Sequence, residues 1–364
     1  MTASGVSVVD FRSDFASPPS PAILDAISRS ACSEAAFGFK EDQYACGLEA
    51  EAALLLGKED SLWFPTCTMA NMAAVLLQTS ASGSIVTDSE SHLATTERDG
   101  IEGIAKRRIT AVSGNAGVVP TGRLSEILSQ DKTHELVTIE DTHNRAGGIP
   151  LPLGYCESVG EITRSYSVKL HLDGARLFNA AVAHGVAPAE LCVGANTVSI
   201  SLNKGLGAPN GALLAGPTIL VERAVCLRQQ LGGGMRPLNM MAAAGRAALN
   251  QWKDVAFDHV LALQIAEVLA GIPNCNVDHD QVQTNIILVR LPLDSDATSQ
   301  FLLRLKAAGV LALAIAEGCI RLCVHRGLAG LDVQRIADTF ADVVRATPWQ
   351  DLNQTSVRPS GGTS

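Results

Sequence analysis

The sequence predicts an α/β protein. A large domain over residues 1–250, together with the N-terminal segment, carries a mostly parallel sheet with helices on both faces. A smaller α+β domain occupies 251–350. Two observations lead there. Between residues 47 and 216, short apolar, β-branched runs alternate with amphipathic stretches, as strands joined by crossover helices do. Beyond a helical zone at 217–270, strand-like and helix-like segments mix again in a shorter unit.

In chain order, SLWF is short and apolar enough for a buried strand, and TMANMAAVLLQ is long enough for a helix. SIVTD and RRITAVSG follow as strands, RLSEILSQ as a helix, ELVTIE as a strand and ESVGEITRSYS as a helix. SVKLHLD is a strand, ARLFNAAVAHG a helix, and TVSISL and GALLAG are again strands. In the second unit TNIILVRL and CIRLCV read as strands, TSQFLLRLKAAG and LDVQRIADTFADVV as helices. The polar, Gly/Ser-bearing end of the chain, 351–364, reads as a flexible tail.

Composition narrows the function. The chain has 364 residues, 47% apolar and 18% charged, which suits a well-filled core. Its net charge of −9 without a basic cluster disfavours nucleic acid. Its apolar stretches are too short or too interrupted to span a membrane, and MTASGVSVVDFRSD shows no secretory pattern. Nine scattered cysteines without a C-x-x-C pair read as reduced, cytoplasmic core fillers, and no Cys/His grouping has metal-ligand spacing.

In sheets of this kind ligands sit at the carboxyl ends of the strands. SVKLHLD ends in Asp173, and TVSISL leads through Asn203 to Lys204, an amine in a glycine-rich turn between two apolar strands. A charge placed there is costly unless it is paired, neutral or covalently bound. Taken singly, Asp173 reads as a helix cap and Lys204 as a solvent-facing corner. Together, on neighbouring parallel strands, they meet the needs of pyridoxal 5′-phosphate: an amine for its aldehyde and an acid for its ring nitrogen. Thr66, Cys67 and Thr68, between a strand and a helix, offer a phosphate cradle or simply a threonine cap.

The segments DFRSD, EDTHNRAGG, HLDGARLFNA, SLNKGLGAP and LGGGMRP, in this order, resemble the low-specificity L-threonine aldolases. These belong to the β-eliminating lyase group of the aspartate-aminotransferase-like fold, fold type I of the pyridoxal-phosphate enzymes. The resemblance implies cleavage or formation of the Cα–Cβ bond of a β-hydroxy-α-amino acid, giving glycine and an aldehyde. It implies Lys204 as the Schiff-base lysine, Asp173 on the ring nitrogen, and His92 stacked on the ring and assisting proton transfer. Thr66, Cys67 and Thr68 would hold the phosphate, with Arg236 reaching it from a neighbouring subunit of a homodimer or homotetramer. Ser13, Arg176 and Arg321 would grip the substrate carboxylate, and His143 would sit by the β-hydroxyl.

Some positions depart from the family's pattern. Phe39 stands where a tyrosine is usual, Cys67 replaces a glycine, and Pro237 replaces a common glutamine. Thr95 and Thr96 follow His92 where aromatic residues are common, which implies a more polar or roomier pocket. The same scaffold also serves β-elimination, racemisation and transamination, so these remain the alternative reading.

Overall fold

The computed structural model describes residues 8–33 and 41–349. Phe39 and the tail 351–364 lie outside the described residues. The strands, in chain order, are β1 (Val9–Asp10), β2 (Asp60–Phe64), β3 (Ser84–Asp88), β4 (Arg108–Val112), β5 (His134–Glu140), β6 (Lys169–Gly174), β7 (Thr197–Ser201), β8 (Ala212–Gly216), β9 (Ile286–Arg290), β10 (Val310–Leu311), β11 (Leu313–Ala316) and β12 (Cys319–Cys323).

Seven of them form one sheet in the order β2-β8-β7-β6-β5-β3-β4. Only β8 runs against its neighbours; the other pairings are parallel. The physical reason lies in the runs themselves. β3, β7 and β8 are buried at every residue, so no face is left for water and helices must cover both. Edge strand β4 instead keeps residues open to solvent: Arg108 and Ala111 are exposed, while Ile109 and Val112 are buried.

The crossover helices come where the pattern puts them. Cys67–Gln78 follows β2 and is capped by Thr66, whose Oγ1 accepts the Met69 N–H at 3.1 Å. Tyr155–Ser165 precedes β6. Leu177–His184 follows it and ends at Gly185, whose φ of 68° is the left-handed geometry of a helix C-terminus. Gly174 has a different cause: a Cβ there would sit 2.8 Å from the Ser199 carbonyl oxygen, so only glycine lets β6 and β7 stay close beside Asp173.

The remaining strands build a second unit. β11, β12 and β9 form an antiparallel sheet, packed with the helices Val255–Ala270, Ser295–Ala307 and Val333–Arg345. Its core joins Ile265, Leu269, Phe301 and Phe340 with Val9 and Phe11. The N-terminal segment, read from the sequence with the large domain, is therefore held by the C-terminal unit, where β1 pairs in parallel with β10. Val255 packs in the large core, so the helix Val255–Ala270 joins the two. Among the described residues no helix is long and apolar enough to cross a membrane.

Candidate active site

A cavity of about 270 Å³ opens at the carboxyl ends of β5, β6 and β7, against the start of the helix Cys67–Gln78. It brings together Thr66, Cys67, Thr68, His92, Asp173, Arg176 and Lys204, and leaves Ser13, His143, Arg236 and Arg321 outside its lining.

Asp173 is the penultimate residue of β6, and Lys204 lies just past β7, the parallel neighbour in which Ser199 stands opposite Asp173. The Asp173 carboxylate is buried and held by neutral donors: Oδ1 accepts the Ala175 N–H at 3.1 Å, Oδ2 an N–H of the Asn71 amide at 2.8 Å. It does not cap the following helix, whose N-cap is Arg176 without a side-chain bond. Two neutral donors solvate this charge without neutralising it, which leaves room for a cationic partner in the cavity. The Lys204 Nζ lies 5.5 Å from the centre of the Phe15 ring, an aromatic face turned to an ammonium.

His92 opens a short helix, His92–Thr95. Its Nδ1 is 3.0 Å from Glu97 Oε1, and its backbone N–H donates to Glu140 Oε2 at 2.5 Å. Burial alone would lower the imidazole pKa, but the hydrogen bond and charge of Glu97 outweigh it and hold His92 above its ordinary value. With Nδ1 committed to Glu97, Nε2 is the nitrogen left for chemistry. The same Glu140 accepts the Asn144 N–H at 2.9 Å and so braces both sides of the cavity.

The arginines divide their work. Arg176 donates from Nε and Nη2 to the two oxygens of Asp14, each at 2.7 Å, in a pair with Asp14 fully buried. That commitment leaves only Nη1, which reaches Asn144 Oδ1 at 3.3 Å. The guanidinium read as a carboxylate grip is thus largely taken by its own chain. Arg321 donates from Nη1 to the same Asn144 oxygen at 2.9 Å and from Nη2 to the Arg12 carbonyl, while its buried Nε has no partner. The two arginines therefore converge on one amide oxygen. Ser13 caps the turn that follows it, its Oγ accepting the Phe15 N–H at 3.2 Å.

His143 turns away from the cavity. Its Nδ1 accepts the Ala146 N–H at 3.2 Å, and Nε2 faces Asp88 Oδ1 at 3.3 Å, too poorly aligned for a full hydrogen bond. Arg236 is exposed, in the loop between the helices Thr218–Gln230 and Asn239–Leu249. That loop nonetheless abuts the start of the Cys67–Gln78 helix, since a Cβ on Gly233 would meet Met69 Sδ at 2.4 Å and Pro65 Cδ at 3.2 Å. Cys67, where glycine is common, packs its Sγ 3.7 Å from Ser199 Oγ, and burial pushes its thiol pKa far up, which keeps it an inert thiol.

Sequence reasoning missed Asp14, Asn71, Glu97, Glu140, Asn144 and His171. Two of these carried a signal. Asn71 is a polar residue one helical turn past Cys67 in an otherwise apolar run, and His171 is two residues before Asp173, hence on the same face of β6.

Residues 10–292 match the beta-eliminating lyase family. The chain is 32% identical over 342 residues to low-specificity L-threonine aldolase 1 of Arabidopsis thaliana, covering 91% of this chain and 95% of that one. It is 32% identical over 335 residues to the low specificity L-threonine aldolase of Escherichia coli K12, covering 90% and 95%. A threonine aldolase structure from Leishmania major superposes with a TM-score of 0.77 at 17% identity, covering 93% of this chain and 99% of that one, a likeness of fold.

Proposed function

The chain belongs to the beta-eliminating lyases and, within them, to the low-specificity L-threonine aldolases, and from that premise we propose how its residues cleave a threonine-like β-hydroxy-α-amino acid to glycine and an aldehyde. The observation that carries the reading is one cavity lined by Lys204, by Asp173 at the end of the adjacent parallel strand, and by the start of a helix.

The residues present fit pyridoxal 5′-phosphate. The helix start offers amides without intrahelical acceptors to a phosphate, Asp173 offers a buried anion to a protonated ring nitrogen, and Lys204 offers an amine to the aldehyde. When bound, the cofactor supplies a carbonyl that condenses with amines and a ring that accepts the electrons of a bond broken at Cα.

The protein's own contributions follow. The Nη1 groups of Arg321 and Arg176, which converge on the Asn144 amide oxygen at the cavity, exchange that oxygen for the substrate carboxylate and so fix which bond at Cα is aligned for cleavage. Asp14 holds Arg176 in place. His92 Nε2 takes the proton of the β-hydroxyl as the aldehyde forms, and Glu97 stabilises the imidazolium that results. His143, facing Asp88 outside the cavity, packs under the turn at Gly117, where a Cβ would meet its ring at 2.6 Å. Arg236, exposed and outside its own chain's cavity, completes the phosphate site of a second copy in a homodimer or larger assembly.

The test is to incubate the purified protein, loaded with pyridoxal 5′-phosphate, with a panel of β-hydroxy amino acids and identify released aldehydes by mass. Acetaldehyde from threonine, with glycine in equal amount, is the expected result. Pyruvate from serine without any aldehyde from the panel would overturn it in favour of β-elimination.

A further inference from the structure

Asn71 is almost fully buried, 1% exposed, on the helix that opens at Cys67, and it lines the cavity. Its amide is saturated. Nδ2 donates one N–H to Asp173 Oδ2 at 2.8 Å and the other to Glu97, 3.3 Å from both carboxylate oxygens. Oδ1 accepts from Ser199 Oγ at 2.6 Å and lies 3.1 Å from His171 Nε2. An amide has two N–H donors and two acceptor sites, and all are used.

The arrangement admits one orientation. Turned over, the amide oxygen would face two carboxylates that cannot donate. With the oxygen towards His171, Nε2 must carry the proton, and Nδ1 then accepts from Thr197 Oγ1 at 2.9 Å. Thr197 Oγ1 in turn accepts from Gln78 Nε2 at 2.8 Å. Burial pushes the His171 pKa down to about 4, so the ring is neutral and the donor chain keeps this direction.

The two carboxylates on this amide have separate tasks in the function proposed above, on which this inference rests: Asp173 faces the ring nitrogen, and Glu97 holds the proton-handling His92. We propose that Asn71 is a positioning residue that couples Asp173 to the Glu97–His92 pair through its shared amide, so that removing charge at Glu97 is felt at the cofactor. Two buried anions held by one neutral group cannot relax independently; loss of either bond lets the amide, and hence the other carboxylate, reorient.

A double-substitution cycle tests this, read by titrating the protein with pyridoxal 5′-phosphate and recording affinity and the visible absorbance maximum. Asn71→Leu keeps the volume and removes the bridge. Asn71→Ala removes the same bridge and adds neither charge nor bulk, so it serves if Asn71→Leu fails to fold. Either should weaken cofactor affinity about tenfold or more, as expected for stranding buried carboxylates. Either should also lower kcat far more than it raises KM for threonine. Glu97→Gln should shift affinity and absorbance in the native background, by about fivefold in affinity, and by less than about twofold in either Asn71 background. Equal effects of Glu97→Gln in both backgrounds would overturn the coupling while leaving the cofactor reading intact. No visible band in the unsubstituted protein would overturn the cofactor reading and the coupling with it.

Discussion

Replacing Asp14 with asparagine probes the joint between the N-terminal segment and the sheet. Asp14 is fully buried, and Arg176 is 7% exposed. Two bonds of 2.7 Å tie them across 162 residues of chain, and Asn285 from the second unit adds a longer contact of 3.4 Å to the same carboxylate. Asparagine retains the shape but removes the charge, leaving a buried guanidinium without its counter-ion. Removing one partner of such a pair costs about 3–5 kcal/mol. At roughly 1.3 °C per kcal/mol for a chain of this length, the melting temperature should fall by about 4–7 °C. Calorimetry or thermal circular dichroism, with cofactor held constant, measures this. The sign with pH follows from the pair. Burial alone would raise the Asp14 carboxyl pKa, but the charge and hydrogen bonds of Arg176 hold it well below the usual carboxylate range. Its stabilisation is therefore complete above the unfolded pKa of about 3.9 and is lost as pH falls towards the folded value. The variant should lose less stability than the native protein between about pH 4 and pH 2. A double change, Asp14→Leu with Arg176→Met, should recover part of the loss, because an apolar pair needs no counter-ion. A melting temperature within about 2 °C of the native value for Asp14→Asn would refute the reasoning, since no buried pair would then be at stake.

Other substitutions test the chemistry. Lys204→Ala should abolish the visible absorbance of bound pyridoxal phosphate and all cleavage; retained activity would remove Lys204 from its role. Arg321→Ala should raise KM for threonine by about tenfold or more while the absorbance persists, as expected for the loss of a charge-assisted carboxylate contact; an unchanged KM would refute that contact. Since Glu97 holds His92 above its ordinary pKa, the acid limb of kcat/KM should lie above about pH 6.5 and move to lower pH in Glu97→Gln. A limb that stays in place would show that another group accepts the proton.

Much of this protein was legible in the residue order. Strand and helix periods are local, so TVSISL, SIVTD and GALLAG declared themselves, and the fold buries each of these strands at every residue under helices on both faces. Position at a strand end is also local, so Asp173, Lys204 and the Thr66–Cys67–Thr68 turn could be chosen before any contact was known. Partners distant in the chain could not. That Arg176 spends itself on Asp14, that Asn71 bridges Asp173 and Glu97, and that His143 faces Asp88 depend on which side chains the finished sheet order sets side by side. The same holds for β1, whose docking on β10 joins segments 301 residues apart (Val9 to Val310). Short-range sterics and hydrophobic period write the elements, whereas the hydrogen-bond valence of a buried polar group is satisfied only by whatever the packed fold brings within 3 Å or so of it.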